Sequence, residues 1–144
     1  MNPNKRVIQT INKICELKDI YYPKYSLPIE YLTIFSQSEE DFNTLRDSLI
    51  KIGKETKANN GFKYALQKPI IHQDEKISLV RIRKPDIHRK ELGCADLEYQ
   101  DEDYKDLRRI ALDNGLDIIL RKGYEMIELS DFNINVYAYL VKDI

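Results

Sequence analysis

Tryptophan is missing from this chain of 144 residues, and cysteine, glycine and proline are scarce, at two, five and five copies. Two lone cysteines, Cys15 and Cys94, cannot make the disulfide framework of a small secreted domain, and they read as apolar fillers in a reducing compartment. So few glycines and prolines exclude collagen-like or linker-like character. No run approaches the roughly 20 apolar residues that cross a bilayer, and MNPNKRVIQT leads into no signal-peptide core, so a cytoplasmic location without membrane contact is expected. Charge of one sign is lacking too. Twenty-three basic side chains against twenty-four acidic give a net charge of -1, which provides no global field for nucleic acid.

What is present is an ordinary globular balance, 42% hydrophobic and 33% charged, with tyrosine in excess at ten copies against four phenylalanines. Val7, Ile8, Ile11, Ile14 and Cys15 recur at helical spacing, predicting an amphipathic helix over 5–18. Pro23 and Pro28 follow in an extended linker, so 1–28 reads as an N-terminal helix plus linker. Such a helix would pad an edge of the domain or serve an oligomer interface.

From Ile29 the pattern changes to period two. IEYLTIFS reads as a strand. QSEEDFNTLRDSLIKIG reads as a helix capped near Ser38, with Phe42, Leu45, Leu49 and Ile52 inward and Gly53 as its stop. KETKA reads as a short edge strand, and FKYALQKPI and ISLVRIR as two more. The order then recurs: a strand over Leu92–Tyr99, a helix in DEDYKDLRRIALDNG with Tyr104, Leu107, Ala111 and Leu112 inward, and strands LDIILRK, YEMIELS and NINVYAYLV. A shift of 62 residues places Glu40 on Glu102, Asp41 on Asp103, Leu45 on Leu107, Arg46 on Arg108, Gly53 on Gly115 and Gly61 on Gly123.

A repeated βαβββ module covers its small sheet with one helix and leaves the other face for a partner. The expected fold class is therefore α+β: two paired modules, 29–85 and 92–144, forming a cleft within one domain, 29–144. Element order and repeat spacing over these residues resemble the glyoxalase/bleomycin-resistance, or vicinal oxygen chelate, superfamily. The resemblance implies helices outside and a cleft between modules, with metal ligands commonly drawn from the first and last strands of each module. Here those strands offer Glu30, Asp96 and Glu98 alongside Arg and Tyr, and His72 and His88 lie in loops, so neither metal nor cofactor is expected. A duplicated ferredoxin-like fold is the runner-up, and it would require the KETKA strand to vanish.

Alternation nominates the cleft residues. Cys94, Asp96 and Glu98 oppose Ala95 and Leu97. Arg81 and Arg83 oppose Val80 and Ile82, Met126 and Glu128 oppose Ile127 and Leu129, and Tyr137 and Tyr139 share a side with Val141. The 62-residue shift carries this phase onto the first strand, placing Leu32, Ile34 and Ser36 in the cleft and Thr33 and Phe35 under the helix. The expected ligand is a small polar or anionic molecule held by Arg81, Arg83, Asp96, Tyr137 and Tyr139. Glu98 and Glu128 are the candidates for metal-independent proton transfer. Structural pairing of these charges competes with ligand contact. The alternative functions are a homodimerising or protein-binding domain using the tyrosine-bearing strands, and weak RNA binding through Arg83, Lys84, Arg89 and Lys90.

Overall fold

A computed structural model describes residues 3–144, with side chains described from Lys5 onward. The chain forms α1 (Pro3–Tyr21), β1 (Ile29–Phe35), α2 (Glu39–Leu49), β2 (Gly53–Ala58), β3 (Gly61–His72), β4 (Glu75–Arg83), β5 (Gly93–Leu97), α3 (Tyr104–Asp113, preceded by a 3-10 turn), β6 (Asp117–Arg121), β7 (Tyr124–Asp131) and β8 (Ile134–Asp143). All eight strands join one sheet in the order β2-β3-β4-β1-β5-β8-β7-β6. Each module thus closes its first strand against its last in parallel, β1 on β4 and β5 on β8, and the modules meet where β1 and β5 run antiparallel. The edge strand in KETKA is present as β2, which removes the condition of the ferredoxin-like alternative. No helix among the described residues is long and apolar enough to cross a membrane.

Local chemistry explains the helices. Ser38 is extended at the head of α2, and its hydroxyl accepts the Asp41 N–H at 3.0 Å, satisfying one of the open donors of the first turn. Phe42, Leu45 and Leu49 are buried along α2, and Tyr104, Leu107 and Ala111 along α3. Leu112, expected inward, is exposed, because its neighbour Ala111 takes the inward position on that turn. Gly115 stops α3 in a left-handed conformation, φ +73°. Gly53 is not a helix stop: α2 ends at Leu49, and Gly53 begins β2, where a Cβ would stand 2.8 Å from the Ala65 carbonyl oxygen.

One apolar core lies between the sheet and all three helices. Val7, Ile11, Ile14 and Leu17 of α1 are fully buried in it. This corrects the expectation that α1 pads an edge, since the edges are β2 and β6 whereas α1 packs chiefly on β8 and β7 and reaches β1 and β5 at the centre. Polar bonds tie it to both modules. Arg6 pairs with Asp41 at 2.7 Å and Lys18 with Glu75 at 2.6 Å on the first; Tyr21 donates to the Ser130 carbonyl and Tyr22 to the Leu107 carbonyl, at 2.6 and 2.7 Å, on the second. Among the described residues no helix lies over the opposite face of the sheet.

Candidate functional site

The residues of that open face follow from which neighbours enter the core. Val80, Ile82, Ala95, Leu97, Ile127, Leu129, Val136, Ala138 and Leu140 are all core residues, so the alternating positions Arg81, Arg83, Cys94, Asp96, Glu128, Tyr137 and Tyr139 turn to the open face, as expected. On β1 the expected phase is inverted. Leu32 and Ile34 are fully buried among the helices, and Tyr31, Thr33 and Phe35 belong to the open face. Ser36 lies beyond the end of β1 and outside its alternation.

Register arranges these side chains in two rows across the module boundary. In one, Arg81 of β4 is opposite Thr33, Thr33 opposite Cys94, and Cys94 opposite Tyr137. In the other, Tyr31 is opposite Asp96, Asp96 opposite Tyr139, and Tyr139 opposite Glu128. The Tyr139 hydroxyl donates to Glu128 Oε2 at 3.1 Å, and the rings of Tyr137 and Tyr139 stack with centroids 6.5 Å apart. Glu98 follows β5, is exposed, and meets this group through Asp96, with which it lines a 420 Å3 hollow together with Glu30, Tyr99 and Asp101.

Cations border the first module's part of the face. The guanidinium groups of Arg83 and Arg89 lie 5.6 and 5.9 Å from the Phe35 ring centroid, and the Lys63 ammonium 5.6 Å from that of Tyr31. These contacts explain how Phe35 is buried without a covering helix. The pairing of arginines differs between faces. On the helix side Arg6, Arg46 and Arg108 each hold a carboxylate, whereas Arg81 and Arg83 make no ion pair among the described residues. Arg81 donates from one terminal nitrogen to the Asn59 carbonyl and lies beside the Tyr31 hydroxyl, whose pKa burial raises and the charge and hydrogen bonding of Arg81 lower; the Arg81 Nε is buried without an acceptor.

Burial sets the protonation chemistry. Asp96 is raised above the usual carboxylate range by desolvation and then by the nearby charge of Glu30. The Tyr139 hydroxyl is raised by burial and by Glu128, and it stays a neutral donor. Burial pushes the Cys94 thiol up to about 11, with Asp96 adding to it, which leaves no thiolate for nucleophilic attack near neutrality. The resembling superfamily would place a divalent metal between the first and last strands of the modules. The donors do not fit one: across the open face those strands present Thr33, Arg81, Cys94, Asp96, Tyr137 and Tyr139, in which Arg81 is a permanent cation, and Glu30 near Asp96 does not complete a set of three His, Cys, Asp or Glu donors among the described residues.

Tyr31, Thr33 and Phe35 were not among the expected site residues, and Arg89 was expected only as an RNA contact. The signal for Arg89 was present in the basic connection between modules; for β1 it was masked by four consecutive buried positions, Leu32 to Phe35.

Comparison with known proteins gives a fold and no family. No family model matches the chain, and no curated protein matches it. A solved structure described as "Structural Genomics, Protein EC4020" is similar with a TM-score of 0.63 at 15% identity, covering 92% of this chain and 81% of that one. A second, a hypothetical protein BH1468 from Bacillus halodurans C-125, has a TM-score of 0.44 at 11% identity and covers 83% of this chain and 96% of its own. The chain is an α+β protein with two strand–helix modules.

Proposed function

We propose that the open sheet face binds a small polar or anionic organic molecule across the boundary between modules, without a metal. The observation that carries this reading is the contrast in arginine pairing: Arg46 and Arg108 each hold a carboxylate, whereas Arg81 and Arg83, half-buried on the open face, hold none among the described residues, and such a cation is costly unless another anion completes it. Arg81 and Arg83 would take the anionic end, and the stacked Tyr137 and Tyr139 rings the organic body. Where the bound molecule is turned over, Asp96 and Glu128 would share proton transfer, since both neighbour Tyr139, with Glu98 next to Asp96 in the adjoining hollow. Kinship with the vicinal oxygen chelate superfamily belongs to the same proposal and is supported by the module order and by the parallel pairing of first and last strands.

The test is a thermal-shift screen of monocarboxylates, dicarboxylates and phosphomonoesters, followed by titration of any stabilising compound into Arg81→Ala/Arg83→Ala. Loss of affinity with retained near-ultraviolet dichroism is expected. Unchanged affinity in the folded variant would remove the arginines from the site.

A further inference from the structure

Beyond the end of β1 the chain passes under the connection between modules, residues 84–92, and a hollow of 570 Å3 opens there. It is lined by Ser36, Gln37, Pro85, Ile87, Arg89 and Lys90, together with Asp86. The connection is fastened at both ends and in its middle. Lys84 N–H donates to the Asn60 carbonyl at 2.8 Å, Leu92 N–H to the Asn135 carbonyl at 2.8 Å, and Arg89 N–H to the Asp86 carbonyl at 2.9 Å.

The polar groups in this hollow are mismatched in one direction. Arg89 and Lys90 make no ion pair among the described residues. The one acid, Asp86, has an oxygen committed to its own turn, accepting the His88 N–H at 2.8 Å. Gln37 is also occupied, donating from its amide to the Phe35 and Glu91 carbonyls at 2.8 and 3.0 Å. Ser36 is different: it is 2% exposed, and its hydroxyl has no hydrogen-bond partner. A buried hydroxyl without a partner costs free energy, and Ser36 lines the same hollow as the two cations. Pro85 and Ile87, the latter 83% exposed, supply an apolar rim.

We propose that this hollow is a second binding site, adjoining the open face at Arg89, for the oxyanion head of a small organic molecule, a phosphate or a carboxylate. Arg89 and Lys90 supply the charge, the Ser36 hydroxyl donates to one oxygen, and the apolar rim meets the organic remainder. A site of this volume is roomy enough for more than a bare oxyanion.

The experiment titrates inorganic phosphate and, separately, sodium acetate into the full-length protein while amide chemical shifts are followed. The expected result is saturable shifts at Ser36, Gln37 and residues 87–90 with at least one of the two anions. Affinity should fall about tenfold or more in Arg89→Gln/Lys90→Gln and measurably in Ser36→Ala, and remain unchanged in Arg81→Ala, which belongs to the open face. The dispersed spectrum of each variant reports its fold. No saturation with either anion would overturn the proposal. So would a Ser36→Ala variant that gains thermal stability while binding the anion as before, since the hydroxyl would then be a structural burden only. Tighter binding of a short single-stranded RNA than of either anion would also overturn it, in favour of a phosphodiester surface. Shifts confined to open-face residues and lost in Arg81→Ala would sink the second site while leaving the first intact.

Discussion

Arg46 on α2 grips Glu55 on β2 with two nitrogens, Nε to Oε2 at 3.0 Å and a terminal nitrogen to Oε1 at 2.9 Å, while the Tyr64 hydroxyl donates to the same carboxylate at 2.6 Å. Sixty-two residues later, Arg108 repeats the arrangement with Glu125 at 3.0 Å and the Tyr104 hydroxyl at 2.6 Å. The arginines are repeat equivalents, yet the other partners come from different elements: Glu55 from β2 and Glu125 from β7, Tyr64 from β3 and Tyr104 from α3. Each module thus fixes its helix to its sheet with an arginine, a carboxylate and a tyrosine, by different routes.

These triads make stability depend on acid. Glu55 is held below the usual carboxylate range, mainly by the hydrogen bond from Arg46, and Glu125 mainly by the bond from Tyr104. A carboxyl depressed in the folded state contributes stability that is fully present above its unfolded value, near about 4.3, and is lost as pH falls through the folded value. Urea midpoints should therefore fall on acidification below about pH 4.5, and Glu55→Gln/Glu125→Gln should flatten that limb. Tyr64→Phe should cost about 1–2 kcal/mol at neutral pH, because it removes a bond to a charged acceptor from a fully buried ring. A limb of unchanged steepness in the double variant would show that other acids carry it.

Gly93 makes a separate prediction. At the antiparallel joint between modules it faces Ile34, and a Cβ there would lie 2.1 Å from the Thr33 carbonyl oxygen and 3.3 Å from the Ile34 Cα. Backbone atoms cannot swing aside as a side chain can, so Gly93→Ala should part β1 from β5 and cost about 3 kcal/mol or more. Gly115→Ala is the control. Its φ is +73° but nothing lies within 4 Å of the added carbon, so only the conformational penalty of about 1–2 kcal/mol applies. Equal losses in the two variants, read from denaturant midpoints, would contradict this ordering.

The same joint shows where the sequence was legible. The helical stripes follow the 62-residue shift, with Phe42, Leu45 and Leu49 falling on Tyr104, Leu107 and Ala111, whereas Gly53 and Gly115 fall together in different roles. A helical stripe tolerates a small error of register. A strand does not, since one residue inverts every side chain. Leu32 and Ile34 shift onto Cys94 and Asp96, yet the first pair is in the core and the second on the open face, so the opening strands are out of step with the helices by an odd number. A register irregularity between Ile29 and Tyr31 accompanies the change. On β5 the charge of Asp96 marked the face directly; on β1 the open-face Phe35 imitates a core residue because Arg83 and Arg89 cover its ring. The role of α1 was illegible for another reason: its partners, from Asp41 to Ser130, are distant in sequence and come from both modules.

That role is testable by truncation and by charge removal. Lys18 and Glu75 are mostly buried, and Glu75 also accepts the Ile29 N–H at 2.8 Å, holding the entry to β1. Lys18→Ala would leave a buried carboxylate with one neutral donor, a loss of about 3 kcal/mol. A chain beginning at Leu27 would expose the apolar face that Val7, Ile11, Ile14 and Leu17 cover, and it should lose its cooperative unfolding transition. A truncated chain that melts cooperatively at the full-length temperature would make α1 an accessory.

The thiols offer the last prediction. Cys94 lies on the open face between Thr33 and Tyr137, in the middle of the proposed binding surface, where a reactive cysteine would suggest covalent chemistry. Its thiol, pushed to about 11 by burial, holds only about one part in ten thousand as thiolate at pH 7. Cys15 is raised as well, again chiefly by burial. Iodoacetamide should therefore label the native protein at neutral pH far more slowly than the same protein in urea, with labelling of Cys94 rising as pH approaches the thiol value. Rapid native labelling of Cys94 at pH 7 would mean that its surroundings favour the thiolate. Nucleophilic catalysis would then displace Asp96 and Glu128 as the chemistry of this face.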